Sequence, residues 1–403
     1  MNCYVSKGIA NGRVILPTSK SIAHRMLICA AMCNGDSIIE GIPSCEDVLA
    51  TIDCLRAFGA KIEYDGRRAV VSGVDFSKSK PPIPLNCRES GSTLRFLIPL
   101  AMLSGNEVNF VGSTRLMERP QSIYETLAKE ERLTFRRKRD GITVCGPLRA
   151  GEFFIDGNVS SQFISGLLFA LSTMSGDTKI IFNSPIESRP YVELTIETMK
   201  RFGVRVYYDT DWSFLIFGGQ EYNAGQLTVE GDWSAAAFLE AFNHLGGKVE
   251  LCGLNEDSLQ GDKICREYFN RLDSGFCEID ITDCPDLGPI LFTMAAIKNG
   301  AKFNGTRRLR DKESDRISAM VEELSKFGAE FTVEENSLTV KKSTLHAPSE
   351  KLVGHNDHRI VMSMAVICSL YGGEIVGCEA VSKSYPHFFE DIASLGIKVT
   401  NNV

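Results

Sequence analysis

The sequence of 403 residues lacks a hydrophobic run long enough to cross a membrane. Its longest apolar stretches, 96–103 and 360–371, are well short of the ~20 residues that a membrane-spanning helix needs. Its first residues contain no apolar segment of the signal-peptide kind. An excess of basic residues is also missing, because 51 Asp and Glu outnumber 44 Lys and Arg and the net charge is −7. We therefore expect a cytoplasmic protein with neither a membrane nor a nucleic-acid partner.

Two common site patterns are absent as well. The phosphate-binding pattern G-x-x-x-x-G-K-[ST] does not occur, which argues against an ordinary ATP kinase. The 13 cysteines include no C-x-x-C pair, and their number is odd. Cys29 and Cys33 share one face of an apolar helical stretch, which favours core packing over metal binding. His355 and His358 have no neighbouring His or Cys partner, so a zinc site is not expected.

What the sequence does contain is typical of a globular protein, with 43% hydrophobic and 24% charged residues. Its length predicts two domains of about 200 residues each. A recurring phrase ends a helical pattern with a glycine and continues as a strand with alternating charge; its glycines are Gly59, Gly203, Gly328 and Gly396. The numbers of residues between successive glycines correspond to about two, two and one copies of a unit of ~65 residues. The repeat predicts α/β architecture built from about six similar units.

The segment KESDR stands at the head of a helical pattern whose apolar residues recur every three or four positions. Ser314 is predicted as the N-cap of this helix and Gly328 as its stop. Lys312, Glu313 and Arg316 would then lie at a helix end, where backbone N–H groups and the helix dipole favour an anion. A solvated first turn is the simpler alternative for this segment taken alone.

Similar cationic positions recur along the chain, each at the start of a predicted helix or in a short loop. They are Lys20, Arg25, Arg95, Arg119, Arg189, Lys312, Arg316, Arg359 and Lys383. Each of these residues alone could be an ordinary solvated surface residue, but their number in an acidic protein favours a common role in binding. Arginine suits bidentate contact with carboxylate or phosphate groups. We therefore predict a cleft that binds two heavily anionic small molecules. The one basic run, 136–139, is predicted to decorate an exposed hairpin instead.

Eight short motifs occur in one order along the chain: LPTSKSIAHR, SGSTLRFL, ERP, VSSQF, the PD of CPDLG, KESDR, NDHR and KSYP. In this order they resemble the enolpyruvyl transferase family of 5-enolpyruvylshikimate-3-phosphate synthases, over nearly the whole chain from Leu16 to Phe389. The resemblance implies the enolpyruvyl transferase fold, an α/β fold of two domains in an inside-out, barrel-like arrangement, each made of three βαβαββ repeats. One domain would comprise 1–19 plus 231–403 and the other 20–230. The resemblance also implies a monomer that needs no metal or organic cofactor.

The resemblance implies a reaction as well, the transfer of the enolpyruvyl group of phosphoenolpyruvate to the 5-hydroxyl of shikimate 3-phosphate with release of inorganic phosphate. Addition to the enol needs a base for the hydroxyl and an acid for the methylene carbon. Asp286 is expected to be the base and Glu313 the proton-transfer partner, and Lys20 and Lys383 are expected to assist. The residues expected to bind shikimate 3-phosphate are Lys20, Ser21, Arg25, Ser160, Ser161, Gln162, Ser188, Arg189, Asp286 and Lys312. Those expected to bind phosphoenolpyruvate are Lys20, Gly91, Arg119, Gln162, Lys312, Arg316, Arg359 and Lys383.

Several positions depart from the commonest family pattern, among them Thr18, His24, Glu89 and Arg308. Arg308 falls where some members use asparagine to contact the substrate, so no role is assigned to it. The departures leave the expected reaction intact, but they leave substrate affinity and sensitivity to the inhibitor glyphosate open. Gly91 has no side chain and would leave room for that inhibitor.

Two alternative functions remain open from the sequence. The related enzyme that transfers enolpyruvyl to UDP-N-acetylglucosamine usually carries a reactive cysteine in the loop that is 113–117 here. No cysteine lies between Cys87 and Cys145, which argues against this alternative. The second alternative is a non-catalytic, anion-binding relative. Asp286 and Glu313 argue against it, because binding an anion does not need two carboxylates beside it.

Overall fold

The computed structural model describes residues 1–402, with side chains described as far as residue 400. The chain forms two compact units. The terminal unit consists of Met1–Pro17 together with the chain from Gly231 onward, and the inserted unit is Thr18–Glu230. The first crossover lies between Pro17 and Thr18, and the second lies between Glu230 and Gly231. Among the described residues, no helix combines the length and the hydrophobicity that crossing a membrane requires.

Helices and strands alternate along the described chain. The α-helices are α1 (Lys20–Ala31), α2 (Glu46–Phe58), α3 (Gly91–Ala101), α4 (Thr114–Glu118), α5 (Ser122–Glu130), α6 (Ser161–Leu171), α7 (Arg189–Arg201), α8 (Trp233–Asn243), α9 (Cys265–Ser274), α10 (Gly288–Ile297), α11 (Arg316–Ser325), α12 (His358–Tyr371) and α13 (Phe388–Ser394). The strands are β1 (Asn2–Val5), β2 (Asn11–Ile15), β3 (Asp36–Glu40), β4 (Lys61–Tyr64), β5 (Arg68–Ser72), β6 (Leu85–Asn86), β7 (Val108–Val111), β8 (Thr134–Lys138), β9 (Gly141–Cys145), β10 (Glu152–Ile155), β11 (Thr178–Phe182), β12 (Tyr207–Thr210), β13 (Ser213–Ile216), β14 (Gln226–Thr228), β15 (Lys248–Cys252), β16 (Cys277–Asp280), β17 (Ala301–Asn304), β18 (Glu330–Val333), β19 (Ser337–Lys341), β20 (Leu352–Val353), β21 (Gly373–Val376) and β22 (Val399–Asn402).

The inserted unit repeats one arrangement three times. Its sheets have the strand orders β14-β3-β5-β4, β6-β7-β9-β8 and β10-β11-β13-β12. In each sheet the first pair of strands is parallel and the other two pairs are antiparallel. One helix of each repeat, α1, α3 or α6, is buried along nearly its whole length, as expected for helices that are apolar on most sides. Their side chains form much of the core of this unit.

The terminal unit follows the same plan with one shorter repeat. The sheets β16-β17-β19-β18 and β20-β21-β1-β22 have the arrangement seen in the inserted unit. The N-terminal strand β1 completes the second of these sheets by pairing with β21 and β22. The third sheet contains only the parallel strands β2 and β15, because α9 follows β15 after a loop and a 3-10 turn, and no hairpin forms there. The repeated βα architecture is confirmed, but the six sheets are separate and the described strands close no barrel.

Glycine and cysteine positions show how far the local sequence patterns were informative. The four glycines of the recurring phrase have φ between 86° and 111°, which suits their predicted role at helix ends. Cys29 and Cys33 are buried free thiols in α1 and just after it, as predicted. A disulfide joins Cys3 of β1 to Cys378, and the sequence analysis did not predict it.

The KESDR segment differs from its prediction in one respect. Helix α11 begins at Arg316, and its N-cap is Asp315, whose carboxylate accepts hydrogen bonds from two backbone N–H groups of the first turn. Ser314, the predicted cap, instead donates its hydroxyl to Asp357 at 3.1 Å. Aspartate caps a helix as well as serine does, so the exchange costs α11 nothing. Lys312 and Glu313 lie before the helix, as a cap at Ser314 would also have placed them.

Candidate active site

The carboxylate of Asp286 is the centre of an ion network in the terminal unit. Asp286 lies in a 3-10 turn directly before α10, and its side chain is 20% exposed. Its Oδ1 accepts hydrogen bonds from Lys312 Nζ at 3.1 Å and Arg316 Nη1 at 2.9 Å. Its Oδ2 accepts one from Arg359 Nη2 at 2.9 Å. Four of the predicted site residues are therefore in direct contact, although they come from three separate segments.

Arg316 links this carboxylate to two others. Its side chain is only 1% exposed, and it donates from Nη2 to Glu313 at 2.9 Å and from Nε to Asp357 at 2.8 Å. Asp357 is completely buried and also caps α12 by accepting the N–H of Arg359 at 2.9 Å. The sequence analysis missed Asp357, although an aspartate directly before a helix start is the usual signal of an N-cap.

The charges in this network set the protonation states of its members. Burial by itself raises the pKa of Asp286, but its three cationic partners, led by Arg359, hold that pKa well below its usual value. Burial lowers the pKa of Lys312 to about 8, and Asp286 opposes this shift. Arg316 and Arg308 lower the pKa of Lys312 further. At neutral pH, Asp286 is therefore an ionised but weak base, and Lys312 titrates just above neutrality.

Lys383 joins the same region through a backbone carbonyl. It is the last residue of a 3-10 turn that follows β21, and its side chain is largely buried. Its Nζ donates to the carbonyl oxygen of Asn356 at 2.5 Å. Asn356 directly precedes Asp357, so Lys383 is attached to the loop that carries the buried partner of Arg316.

In the inserted unit, Lys20 begins α1 and forms an ion pair with Asp47 of α2. The two groups are 2.9 Å apart, and both side chains are mostly buried. The sequence analysis did not single out Asp47, because nothing in the local pattern of α2 distinguishes it from an ordinary acidic residue in a first helical turn. The pair holds Lys20 at the helix start, where an anion is favoured.

Arg25, predicted to bind shikimate 3-phosphate, ties α1 to α7. Its side chain is buried and donates to Thr195 Oγ1 at 2.8 Å, to Tyr191 O at 2.9 Å and to Ser21 O at 2.6 Å. Its guanidinium also lies over the ring of Phe96, 5.1 Å from the ring centre. Burial lowers the pKa of Arg25 to about 10, which leaves it charged at neutral pH.

Gln162 bridges the first turns of α3 and α6. Its side-chain oxygen accepts from Arg95 Nη1 at 2.8 Å, and its side-chain nitrogen donates to Ser92 Oγ at 3.0 Å. Arg95 also donates to the carbonyl of Pro120 at 3.0 Å, which lies next to Arg119 in the ERP motif. These bonds bring three of the sequence motifs into one neighbourhood.

Gly91 and Arg119 approach each other closely. A Cβ atom added at Gly91 would lie 2.6 Å from Nη1 of Arg119. Only a residue without a side chain therefore lets the arginine keep this position. Both are predicted to bind phosphoenolpyruvate, and the structure places them side by side.

One member of the basic run 136–139 has a structural role that the sequence analysis did not foresee. Arg137 of β8 donates from Nε to the carbonyl of Met117 at 3.1 Å and from Nη2 to the carbonyl of Arg119 at 3.0 Å. The run lies on the antiparallel pair β8–β9 with its residues exposed, as predicted, and Arg137 in addition holds the backbone of this neighbouring segment. Arg136, in contrast, pairs with the exposed Glu107.

The remaining predicted residues lie at the starts of α6 and α7. Ser160 is the N-cap position of α6, and Ser161 is its buried first residue. Ser188 precedes α7 with a left-handed backbone of φ 55°. Arg189 begins α7 and pairs with Glu193 at 3.1 Å on a partly exposed face.

Two of the departures from the family pattern have visible consequences. His24 is completely buried, and its Nδ1 shares a hydrogen bond of 2.7 Å with Thr51 Oγ1. Burial lowers the pKa of His24 well below its usual value, and the nearby Lys20 lowers it further, so the ring is neutral. Arg308 acts on Lys312 by lowering its pKa.

One group of side chains among the described residues has metal-ligand spacing, namely Glu322, Glu323 and His355, whose ligand atoms lie within 4.8 Å of one another. Both carboxylate oxygens of Glu323 already accept hydrogen bonds from the Lys326 ammonium, at 3.0 and 2.9 Å. A metal ion bound there would face this ammonium group, so the residues do not fit a metal site.

Comparison with known proteins places the chain in one family. The family model of EPSP synthase (3-phosphoshikimate 1-carboxyvinyltransferase) matches residues 6–392. The chain belongs to the EPSP synthase family. It is 38% identical over 412 residues to the 3-phosphoshikimate 1-carboxyvinyltransferase of Clostridium kluyveri, with 96% of this chain and 95% of that protein covered. It is 36% identical over 408 residues to the enzyme of the same name from Clostridium perfringens, with 96% of each covered.

Solved structures of the EPSP synthase family share the fold. The EPSP synthase from Acinetobacter baumannii superposes with a TM-score of 0.80 at 20% identity and covers all of both chains. Similarity at this identity establishes the fold and not the site. The names of the curated relatives agree with the reaction that the motifs implied, so transfer to UDP-N-acetylglucosamine is not favoured for this EPSP synthase family member.

Proposed function

We propose that this chain transfers the enolpyruvyl group of phosphoenolpyruvate to the 5-hydroxyl of shikimate 3-phosphate and releases inorganic phosphate, as a step of aromatic amino acid biosynthesis in the shikimate pathway. The observation that carries the proposal is the ionised carboxylate of Asp286 among three cations, in a chain of the EPSP synthase family. Two anionic substrates need cations for binding, and addition to an enol needs a base beside them.

Substrate binding and base catalysis are coupled in this arrangement. The anionic groups of the substrates attract Lys312 and Arg359, which weakens their hold on Asp286. The pKa of Asp286 then rises towards that of a useful base, because fewer cations favour its ionised form. Asp286 can accept the hydroxyl proton. Glu313, held by Arg316, is the proposed partner for protonation of the methylene carbon.

The residue assignments made from the sequence for both substrates are part of this proposal. The reaction transfers protons, forms one C–O bond and breaks another, without an oxidation or reduction. We therefore propose that it needs neither a metal nor an organic cofactor. We also propose that the protein is a cytoplasmic monomer whose partners are its two small-molecule substrates.

Phosphate release with both substrates tests the proposed reaction. The wild-type chain should release phosphate only when phosphoenolpyruvate and shikimate 3-phosphate are both present. Lys20→Met should lower kcat/KM by roughly 10²–10³-fold, because a charge that binds the anionic groups of the substrates and stabilises the leaving phosphate is lost. Lys78→Met is the matched control, since Lys78 forms an exposed ion pair with Asp75 at 2.8 Å. Turnover with UDP-N-acetylglucosamine instead of shikimate 3-phosphate, or binding without turnover, would overturn the proposal.

Gly91→Ala should keep measurable turnover and raise the glyphosate concentration for half-maximal inhibition by about tenfold or more, as one added methyl group in a tight site can do. The new methyl group would lie 2.6 Å from the Arg119 guanidinium, so this flexible side chain must shift. Gly105→Ala is the control, because an added Cβ there meets nothing within 4 Å. Equal inhibition of Gly91→Ala and wild type would contradict the prediction.

A further inference from the structure

A strained turn lies at the start of the NDHR loop and includes its first residue, Asn356. Two consecutive residues with side chains, His355 and Asn356, have left-handed backbone conformations, with φ of 47° and 52°. Histidine and asparagine tolerate this conformation better than most residues other than glycine, but two in succession are uncommon, so surrounding contacts must hold the turn. The turn leads into Asp357, which binds Arg316, and Arg359, which binds Asp286. A change in the turn therefore reaches residues that the proposed reaction uses.

Glu323 of α11 contacts the first residue of this turn and the chain that leads into it. Its Oε1 lies 2.8 Å from His355 Nε2, and its Oε2 accepts the backbone N–H of Val353 at 2.9 Å. The carboxylate is completely buried, and Lys326 balances its charge at 2.9 Å. A buried glutamate with three such donors is fixed in place. It therefore fixes the path of the chain from Val353 to His355.

This left-handed turn also positions Lys383. The carbonyl that accepts the Lys383 ammonium belongs to Asn356, the second residue of the strained pair. The direction of that carbonyl depends on the left-handed conformation of the turn. If the turn relaxed to an ordinary conformation, the carbonyl would rotate and its hydrogen bond with Lys383 would be lost.

We propose that Glu323 and His355 form a positioning pair, which holds the left-handed turn so that the Asn356 carbonyl places the Lys383 ammonium for phosphoenolpyruvate. Neither residue touches substrate in this proposal, which rests on the function proposed above and extends it. From the sequence alone, His355 is only a poor candidate for zinc binding and Glu323 has no predicted role.

Protonation of His355 makes the positioning pair pH-dependent. The hydrogen bond with Glu323 raises the pKa of His355 above its usual value, and this effect outweighs burial. Glu322 also raises this pKa, whereas Lys326 lowers it. The extra stabilisation from the protonated ring is fully present below the ordinary histidine pKa of about 6.5 and is lost as the pH rises through the higher, folded value. Phosphoenolpyruvate binding should therefore weaken as the pH rises through the pKa of His355 in the folded chain.

Steady-state kinetics of His355 variants between pH 5.5 and 9 (roughly the range in which histidine titrates) test the proposal. His355→Ala should raise the KM for phosphoenolpyruvate about tenfold at the acid end, the order expected for loss of one charge-assisted hydrogen bond. The KM for shikimate 3-phosphate should change less than about twofold. His355→Gln keeps a donor towards Glu323 without titrating, so it should restore most of the affinity and remove the part of the pH dependence that comes from His355, while the part that comes from Lys312 remains. His346→Gln, at an exposed histidine of the same unit, is the control.

A proton NMR titration of His355 in the substrate-free chain tests the pairing independently of turnover. The wild type should show a pKa above 6.5, and this pKa should fall in Glu323→Gln if that variant folds. An unchanged KM for phosphoenolpyruvate in His355→Ala, or an equal rise in both KM values together with lost thermal stability, would overturn the positioning role and leave the proposed reaction standing. A wild-type chain that releases no phosphate would overturn the proposed reaction, and the positioning role with it.

Discussion

Asp286→Asn should lower the kcat for phosphate release by about 10³-fold, within the range of 10²–10⁴ that general-base catalysis contributes. The amide keeps the shape of the carboxylate but cannot accept the proton of the attacking hydroxyl. The positive charge of Arg316 and Arg359 is then no longer offset by Asp286. Anionic substrates should therefore bind at least as well as before, and the KM for phosphoenolpyruvate should stay the same or fall.

The combination of a lower kcat with an unchanged or lower KM is the decisive feature of this result. A residue that only binds substrate would raise KM and leave kcat near its wild-type value. Asp283→Asn provides the control, because Asp283 is exposed and lies three residues earlier in the same loop. A variant of Asp286 that keeps more than about a tenth of the wild-type kcat would exclude this carboxylate as the base.

The sequence was sufficient to find the residues that stand at helix starts. A buried helix needs polar groups near the N–H groups of its first turn, and an anion binds at these same N–H groups. The motifs mark these points because Lys20 begins α1, Gly91 begins α3 and Ser161 begins α6. The glycine stops were predictable for a similar reason, since a helix that ends in a left-handed residue usually ends in glycine.

The partners of these residues could not be found from the sequence. Asp47 binds Lys20, Asp357 binds Arg316, and Arg137 holds the backbone of the ERP motif. Each contact joins segments from 18 to 41 residues apart, and its existence depends on how side chains approach in three dimensions. A local pattern contains no information on such an approach.

The choice of N-cap in the KESDR segment illustrates the same limit. Ser314 and Asp315 are both suitable caps by residue type. The structure selects Asp315 because the hydroxyl of Ser314 is taken by Asp357, which comes from a distant segment. The strained turn at His355 is a further case, because histidine and asparagine enter the left-handed region more often than most residues but usually do not, so their types alone do not predict it.

Arg316→Met should reduce the free energy of unfolding at pH 7 by about 3–5 kcal/mol, the usual cost of removing one partner from a buried ion pair. The guanidinium is almost fully buried and is shared by Asp286, Glu313 and Asp357. Methionine fills much of the same volume, so the loss comes from uncompensated charge and not from a cavity. Asp357 contributes most, because its carboxylate is completely buried and would keep its charge without its closest cation.

The pH dependence of this loss identifies its cause. Burial alone would raise the pKa of Asp357, but Arg316 holds that pKa below its usual value in the folded chain. A carboxylate with a depressed pKa stabilises the fold above its unfolded pKa of about 3.9, and this contribution is lost as the pH falls through the folded value. Without Arg316, the carboxylate of Asp357 should protonate at a higher pH. The difference in stability between wild type and variant should therefore shrink as the pH falls from 7 to about 4.

Urea unfolding at several pH values measures this difference directly. Arg310→Met is the matched control, because Arg310 is partly exposed and lies 3.7 Å from Asp315, so its loss should cost less than about 1 kcal/mol. A loss in Arg316→Met that stays constant with pH would mean that packing, and not charge, determines the effect. A loss no larger than that of the control would mean that water already stabilises these carboxylates.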